Sequence, residues 1–127
     1  MIATIDNVGI AASDLEASVA FYEKLGFTKS FANDRGCLLT SGSARLFVFQ
    51  VDAKPSAPRR EFDLLHNSPG FDHISFTVDD VDRTYLSAIS KGIGFAVPPS
   101  DQEWGARAAM LRDPDGNNLY LLTWLKK

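Results

Sequence analysis

The sequence lacks the features that would set it apart from an ordinary globular domain. Its single cysteine, Cys37, cannot form a disulfide within the chain. Its longest apolar runs, such as residues 119–122, have the length of a strand and not of a membrane span. Thirteen basic residues against sixteen acidic ones leave a net charge of −3. That balance gives no electrostatic reason to expect a nucleic acid or a membrane surface as a partner.

Catalytic and targeting motifs are also scarce. The sequence contains no Gly-x-Ser-x-Gly nucleophile elbow, no phosphate-binding loop and no dinucleotide fingerprint. No pattern beside Cys37 marks an activated thiol, so we interpret it as small apolar filler of a strand. The N-terminus has neither the basic flank nor the apolar run of a secretion signal. We therefore expect a cytoplasmic protein whose partner is a small organic molecule.

What the sequence does contain is an internal repeat. A shift of 66 positions lays residues 6–10 on residues 72–76 and Gly26 on Gly92. Few of the matches are identities, and the shared pattern is a strand, an acidic cap, a helix and a glycine stop. The two glycines are placed to end helices in the left-handed conformation. The 127 residues, 45% of them hydrophobic, thus predict one domain built from two similar modules.

Each half begins with a strand followed by a helix. We predict helix N-caps at Ser13 and Asp79, because Glu16 and Asp82 stand three positions later in capping-box spacing. Apolar residues alternate along the strands and recur every three to four positions along the helices. The strand faces are Val8, Ile10 and Ala12, then Ile74, Phe76 and Val78, and the helix stripes are Leu15, Val19 and Tyr22, then Val81, Tyr85 and Ala88.

Three further strands follow in each half. Short turns at 41–43 and 113–116 separate strand-like runs. The predicted strands are 27–31, 36–40 and 45–51, then 95–97, 107–112 and 118–124.

A connector separates the two modules. Prolines interrupt it, although Phe62, Leu64 and Leu65 predict a short helical turn. His66 and the pair Arg59 and Arg60 are interpreted as solvated connector residues. The predicted bounds are module one at 1–53, the connector at 54–70 with Pro55, Pro58 and Pro69, and module two at 71–127.

This double β-α-β-β-β pattern resembles the vicinal-oxygen-chelate superfamily, which contains glyoxalases, bleomycin-resistance proteins and extradiol dioxygenases. The motifs that carry the resemblance are residues 14–18, 21–22 and 25–27, then 70–76, Trp104-Gly105 with Arg107, and 113–117. The resemblance implies an α+β fold of two tandem βαβββ modules. Their curved mixed sheets would form cups with the helices on the convex side. It also implies a homodimer.

In metal-dependent members of that family, the first and last strand of each module supply the metal ligands. The last strands of the two modules also match internally, since residues 46–49 lie on residues 119–122. Carried over position by position, the ligand places fall on Asn7, Phe47, His73 and Tyr120. The family usually has His, Gln or Glu there, and only His73 fits. Phe47 offers no donor, and Tyr120 would have to lose a phenolic proton with a reference pKa of about 10. A catalytic zinc typically keeps three protein ligands, so we predict no metal site and no cofactor.

The same faces are suited to an organic ligand. By strand parity Phe47 and Phe49 share one face, and Tyr120, Leu122 and Trp124 share another. The resemblance places Trp104 and Arg107 at the rim of the binding site. Aromatic walls with few polar groups suit a planar or amphiphilic molecule. The predicted ligand-binding residues are Asn7, Phe47, Phe49, His73, Trp104, Arg107, Tyr120 and Leu122.

The function predicted first is metal-independent binding of a small organic molecule in an aromatic-lined cup. One alternative is an enzyme. It would be either a metal-dependent lyase, isomerase or dioxygenase with an atypical ligand set, or a metal-free catalyst with His73 as acid or base. A second alternative is a structural or regulatory dimer with filled cups. His73 would then be a satisfied core histidine, and the aromatic residues would close a core.

Overall fold

The computed structural model describes residues 1–55 and 59–126 of the chain, so Pro58 of the predicted connector and Lys127 lie outside the described residues. The chain divides into two compact units, Met1–Pro55 and Ser56–Lys127, here called unit 1 and unit 2. Each unit contains a strand, a helix and three further strands, which confirms the predicted α+β fold of two βαβββ modules. In the part of the chain described, no helix has the length and apolar character to cross a membrane.

Unit 1 is a four-stranded mixed sheet with one helix. Its strands lie in the order β1-β4-β3-β2, with β1 parallel to β4 and the other pairs antiparallel. Its elements are β1 (Val8–Ala12), α1 (Leu15–Lys24), β2 (Thr28–Ala32), β3 (Gly36–Ser41) and β4 (Ala44–Gln50).

Unit 2 repeats this topology in the order β5-β8-β7-β6, with β5 parallel to β8. The register of its parallel pair confirms the internal alignment of the last strands, because Val8 faces Leu46 in unit 1 and Ile74 faces Leu119 in unit 2. Its elements are β5 (His73–Thr77), α2 (Val81–Ser90), β6 (Val97–Asp101), β7 (Ala106–Arg112) and β8 (Asn118–Trp124).

The helix starts differ from the prediction by one residue. Asp14 and Asp80 are the N-caps, and their carboxylates accept the amide N–H groups of Ala17 and Arg83 at 3.1 and 3.2 Å. The predicted caps at Ser13 and Asp79 were therefore wrong. Each predicted cap is followed directly by an aspartate, and carboxylates, like hydroxyls, are favoured cap groups, so spacing alone did not separate the neighbours.

The helix ends agree with the prediction. Gly26 and Gly92 have φ angles of +107° and +88°, a left-handed backbone that a side chain would resist.

One strand of unit 2 also lies later than predicted. The structure places β6 at Val97–Asp101 instead of 95–97. Phe95 packs edge-on against Tyr85 of α2, with ring centroids 4.8 Å apart. Its apolar side chain thus serves the helix contact and not the strand.

In each unit, a side chain of the last strand accepts a hydrogen bond from the first turn of the helix. In unit 1 the Leu15 amide donates to Gln50 Oε1 at 2.8 Å, and in unit 2 the Val81 amide donates to Thr123 Oγ1 at 3.0 Å. These contacts satisfy helix N–H groups that have no partner within the helix. They also identify the sheet face that each helix covers, because Gln50 and Thr123 lie on it.

The two faces of each sheet therefore differ. The face under the helix carries the deeply buried Leu46 and Val48 in unit 1 and Leu119 and Leu121 in unit 2. The other face we call the aromatic face of the unit. In unit 1 it bears Gly9, Gly36, Phe47 and Phe49, and in unit 2 His73, Met110, Asn118, Tyr120 and Leu122.

Candidate functional site

The aromatic face of unit 1 centres on two phenylalanine rings. Phe47 and Phe49 lie two positions apart on β4, and their rings stack with centroids 5.7 Å apart and planes at 24°. Both side chains are half-buried. Strand parity predicted this shared face correctly. The stacked rings present a flat apolar surface of the kind that a planar molecule can contact.

Glycines on the neighbouring strands leave room for these rings. A Cβ on Gly36 would lie 2.8 Å from Phe47 Cζ and 3.1 Å from the Val48 carbonyl oxygen. A Cβ on Gly9 would lie 3.7 Å from Phe49 Cε1, an ordinary contact. Phe47 therefore lies directly over Gly36. Sequence analysis placed Gly36 only in a strand and missed this role, although glycine within a strand signals a close approach.

Replacing Gly36 with alanine is expected to push the Phe47 ring aside and lower the free energy of unfolding by about 1–3 kcal/mol, the usual cost of overpacking. Urea unfolding followed by circular dichroism measures it. Gly94→Ala is the matched control, because a Cβ there meets nothing within 4 Å and its φ is not left-handed. Equal stability of the two variants would show that the ring moves away at no cost.

Asn7 lies outside the strand that it was predicted to begin. It is exposed, precedes β1, and donates from Nδ2 to the Asp6 carboxylate at 2.8 Å. Asp6 in turn lies 4.0 Å from the Arg45 guanidinium. The predicted role of Asn7 in ligand binding stays a prediction.

The aromatic face of unit 2 holds His73 against Tyr120. The imidazole and phenol rings stack with centroids 3.9 Å apart and planes at 16°. His73 lies directly across from Asn118, and Asn118 lies across from Arg112, so a polar row crosses three strands. The sequence prediction brought His73 and Tyr120 to one face, and the structure places them in contact.

Asp72 fixes the orientation of the His73 ring. Its Oδ2 lies 2.7 Å from His73 Nδ1, and its Oδ1 lies 3.3 Å from Arg60 Nη1 and 3.1 Å from Asn67 Nδ2. Hydrogen bonding to His73 is the main reason why the pKa of Asp72 is lowered, with smaller contributions from Asn67 and Arg60 against partial burial. With Nδ1 paired to a carboxylate, Nε2 is the ring nitrogen left to act as acceptor.

The lowered pKa of Asp72 predicts a pH-dependent contribution to stability. A carboxyl group whose pKa is lower in the folded than in the unfolded state stabilises above the unfolded value of about 3.9, and this stabilisation disappears as pH falls through the folded value. Asp72→Asn is therefore expected to lower the free energy of unfolding by up to about 1 kcal/mol near pH 7, because the ion pair is partly exposed.

The stability difference between Asp72→Asn and wild type should shrink as pH falls below the unfolded value of about 3.9, and it should vanish once Asp72 is protonated in the folded state. Urea unfolding at a series of pH values measures it. Asp34→Asn is the control, since among the described residues the Asp34 carboxylate makes no ion pair. A difference that does not shrink anywhere in the acid range would contradict an electrostatic origin.

Tyr120 and Leu122 are more deeply buried than an open binding surface would allow. They are 3% and 4% exposed and pack with Met110 and two alanines of β7. The half-buried side chains Phe62 and Val97 lie against this cluster. Burial raises the pKa of Tyr120, and the charges of Asp72 and Asp63 raise it further, so the phenol stays neutral.

The two tryptophans lie together at the end of β8. Trp104 and Trp124 contact edge to face with centroids 5.8 Å apart, and both remain exposed, by 40% and 58%. Trp124 shares strand parity with Tyr120 and Leu122, as predicted from the sequence. The structure thus extends the aromatic face of unit 2 by an exposed indole pair.

Arg107 does not lie on the aromatic face. It is paired with Thr123 across β7 and β8, on the side covered by α2. Its guanidinium donates to both Asp82 oxygens at 2.8 and 3.0 Å and to Asp101 at 3.0 Å. Residue 107 thus has the opposite strand parity to the cluster at Ala106 and Ala108, and its role at the rim of the binding site, implied by the family resemblance, stays a prediction.

Sequence analysis missed Phe62, Arg112 and Asn118 as residues of the aromatic face of unit 2. Arg112 and Asn118 share strand parity with Met110 and Tyr120, a signal that was available in the sequence. Phe62 precedes β5 and carries no such signal. Hydrogen bonds of the neighbouring Arg60 and Glu61 carbonyls and packing of its own ring bring it to the sheet, where its ring centroid lies 6.0 Å from that of Tyr120.

The donor groups of neither unit fit the metal ion that the family resemblance implies. Among residues 1–55 and 59–126, no three histidine, cysteine or carboxylate side chains are grouped to hold a metal ion. In unit 1 Phe47 offers no lone pair. In unit 2 His73 keeps Nε2 as one donor, but the raised pKa of Tyr120 opposes the phenolate that a metal would need as a second.

A shallow depression lies elsewhere on unit 1. It measures about 530 Å³. Five residues line it, Asp34, Arg35, Gln50, Val51 and Asp52, and none of them is a predicted site residue. Gln50 there already bonds the start of α1, so the depression adjoins a structural contact.

Two βαβββ units, each with a four-stranded mixed sheet, define a class of α+β proteins built from two repeated modules. The Glyoxalase/Bleomycin resistance protein/Dioxygenase superfamily model matches residues 4–121, so the chain belongs to this superfamily. Family membership does not determine the chemistry, since one fold hosts several activities.

Individual relatives show the same similarity along nearly the whole chain. "Glutathione transferase FosA" of Serratia marcescens is 30% identical over 122 residues, covering 95% of this chain and 81% of that protein. "Bleomycin resistance protein" of Klebsiella pneumoniae is 29% identical over 126 residues, covering 89% and 86%. The crystal structure of a bleomycin resistance determinant encoded on transposon Tn5 is 26% identical, with a TM-score of 0.71 and coverage of 95% and 98%.

Proposed function

We propose that this protein binds a small organic molecule on its aromatic sheet faces without using a metal ion. The stacked, half-buried pair of Phe47 and Phe49 carries the proposal. The family resemblance puts Phe47 at a position where metal-dependent members have a residue that binds the metal ion. Two phenyl rings in van der Waals contact recognise apolar or planar surface and leave no donor for a cation.

The relatives support a small molecule as the partner. Two of them carry names that refer to glutathione and to bleomycin, both organic molecules. The chain covers more than four fifths of each relative, so the comparison concerns whole proteins and not an isolated segment. The acidic net charge of −3 agrees with the same class of partner.

A ligand panel measured by thermal unfolding tests this proposal. A compound that binds the folded state raises the unfolding midpoint, and a rise that depends on concentration yields its dissociation constant. We expect Phe47→Ala and Phe49→Ala to weaken binding of such a compound about tenfold or more. Phe71→Ala is the matched control, because Phe71 is fully exposed, and it should leave binding unchanged. Equal loss in all three variants would contradict the proposed surface.

Elemental analysis tests the metal-independent part. Protein purified without added metal or chelator should contain less than stoichiometric zinc, manganese, iron or nickel, and ligand binding should survive EDTA. A stoichiometric ion that disappears in His73→Ala would overturn this part of the proposal.

The Asp72 and His73 pair supports metal-free acid–base catalysis as a second candidate function. A carboxylate at 2.7 Å from Nδ1 orients the ring and leaves Nε2 to accept a proton, the arrangement that a general base requires. Compounds that bind in the panel are incubated with the protein and analysed by mass spectrometry. Turnover that is lost in His73→Ala while binding is kept favours catalysis, and unchanged compounds favour binding alone.

We also propose a single domain with modules at 1–53 and 71–127, a homodimeric assembly and a cytoplasmic location. Sedimentation equilibrium tests the assembly, since the chain has a mass of 13.9 kDa. A species of twice that mass is expected, and a monomer at micromolar concentration would contradict the homodimer.

A further inference from the structure

We propose that an uncharged, electron-rich aryl group binds on the aromatic face of unit 2 by displacing Phe62. In the free protein the Phe62 ring occupies the place that the ring of the ligand takes. This inference rests on the proposed function, the binding of an organic molecule without a metal ion. It adds a ligand class and a site, the surface formed by Arg112 and Tyr120.

Arg112 provides the first observation. Its guanidinium carbon lies 4.5 Å from the centroid of the Phe62 ring, within the range of a cation–π contact. Its Nε donates to Asn118 Oδ1 at 3.2 Å and its Nη2 donates to the Arg60 carbonyl at 2.7 Å. Within the described ranges, no carboxylate lies within 4.0 Å of this guanidinium. The partners of the cation are thus neutral acceptors and one aromatic face.

Tyr120 provides the second wall. Its ring centroid lies 6.0 Å from that of Phe62, with the planes tilted by 54°. Tyr120 and Met110 below are 3% and 6% exposed, whereas Phe62 is only half-buried. Phe62 therefore lies at the boundary with solvent, on top of a closed apolar floor.

The segment that carries Phe62 is attached mainly by polar contacts. Residues 59–72 contain no helix or strand. Asn118 Nδ2 and Arg112 Nη2 both donate to the Arg60 carbonyl, and Arg60 Nη1 donates to the Ser68 carbonyl at 2.8 Å. Water can replace such hydrogen bonds at little net cost.

Phe62 is also the apolar anchor of this segment. Leu64, Leu65 and Phe71 are exposed, so they form no core that would hold the segment in place. Another aromatic ring on Arg112 and Tyr120 would preserve the cation–π and aromatic contacts that Phe62 now makes. When a ligand ring replaces the Phe62 ring, the segment 59–72 therefore loses its apolar contact with the sheet, whereas Arg112 and Tyr120 keep an aromatic partner.

The surrounding charges select the kind of ring. A guanidinium favours an electron-rich aromatic face. Burial is the main cause of the raised pKa of Tyr120, and the carboxylates of Asp72 and Asp63 raise it further, so these two charges disfavour an anionic ligand at this place. Arg112 in turn disfavours a cation. An uncharged ring such as that of a phenol satisfies both conditions.

Phenol is the probe, with cyclohexanol as its non-aromatic match. We expect Phe62→Ala to lower the thermal unfolding midpoint by roughly 5–10 °C, because a half-buried ring is lost. Phenol should raise that midpoint again, with an affinity at least tenfold higher for Phe62→Ala than for wild type, and cyclohexanol should bind more weakly. Phe71→Ala should behave as wild type, since its ring is fully exposed. Equal phenol affinity in wild type and Phe62→Ala, or none in either, overturns the proposal.

Hydrogen exchange of the wild-type protein tests displacement without any variant. The Glu61 amide donates to Asn67 Oδ1 at 3.0 Å and the Leu65 amide to Asp63 Oδ1 at 2.8 Å. Saturating phenol should accelerate exchange in 59–72 severalfold and leave β3 and β4 unchanged. Unchanged or slower exchange overturns displacement. If Phe62→Ala fails to fold, Phe62→Leu keeps the apolar filling without the ring, and its phenol affinity should still exceed that of wild type.

Failure of this inference differs from failure of the proposed function. The proposed function fails when no panel compound binds the wild-type protein. The inference fails when panel compounds bind the wild-type protein and Phe47→Ala weakens their binding, while phenol has the same affinity for wild type and Phe62→Ala and does not accelerate hydrogen exchange in 59–72.

Discussion

Tyr120→Ala is expected to lower the free energy of unfolding by about 3–5 kcal/mol, the cost of removing a large buried ring from a packed core. The Tyr120 ring is 3% exposed, stacks on His73 at 3.9 Å and contacts Phe62 at 6.0 Å between centroids. Its removal leaves a cavity between β5, β7 and the 59–72 segment. Urea unfolding at pH 7 with an unchanged m value measures the loss.

Tyr120→Phe is the matched control and separates the ring from its hydroxyl. The hydroxyl finds no hydrogen-bond partner among the residues that the structure describes, so its removal should change the free energy of unfolding by less than about 1 kcal/mol. A phenylalanine variant as unstable as the alanine variant would show that the hydroxyl, and not the ring, holds this face together. Retained ligand binding in Tyr120→Phe would further show that the phenolic proton has no role in recognition.

Tyr22→Ala should have an effect of similar size in unit 1. Tyr22 of α1 is fully buried, and Phe21 and Phe27 contact its ring edge-on at 5.1 and 5.9 Å. Loss of the ring is expected to lower the free energy of unfolding by about 3–5 kcal/mol. Phe21→Ala is the control, because Phe21 is only half-buried and should cost about half as much. Equal costs would mean that the helix refills the Tyr22 cavity.

The internal repeat explains why a large loss of stability is expected at this helix position in unit 1 and not at the equivalent position in unit 2. Under the shift of 66 positions, Val19 and Tyr22 of α1 correspond to Tyr85 and Ala88 of α2. Each helix thus places one tyrosine in its stripe, but at different turns. Tyr85 is half-buried and packs on Phe95, while Ala88 is fully buried. A tyrosine at both positions would overpack the layer between helix and sheet.

The sequence was sufficient to predict the order of the helices and strands and which strands of the two modules correspond to each other. Strand alternation, helix periodicity and the glycine stops are local signals, and each half carries the same set. The alignment of 46–49 on 119–122 anticipated a register that the structure shows in both units. Strand parity likewise placed Phe47 with Phe49, and Tyr120 with Leu122, on single faces.

Positions that depend on several weak local preferences were predicted less well. The N-caps differ by one residue because a cap-forming side chain stands at both Ser13 and Asp14 and at both Asp79 and Asp80. Arg107 was placed by resemblance to a family motif, although its own strand parity points to the helix side. There Asp82 and Asp101 hold it in place, and the first of these was interpreted only as part of a cap.

The candidate site shows where sequence stops being informative. Read with the family resemblance, the sequence determined that two of the implied metal-ligand places hold a phenylalanine and a tyrosine, and it therefore predicted an aromatic surface instead of a set of donors. Only the tertiary structure decided that Phe62 covers Tyr120, that Asp72 orients His73, and that Gln50 and Thr123 fasten the helices. Alternation and helix periodicity are local properties of the chain. Except for the neighbours Asp72 and His73, these contacts join residues 35 to 58 positions apart, so they depend on how the backbone closes and no local pattern encodes them.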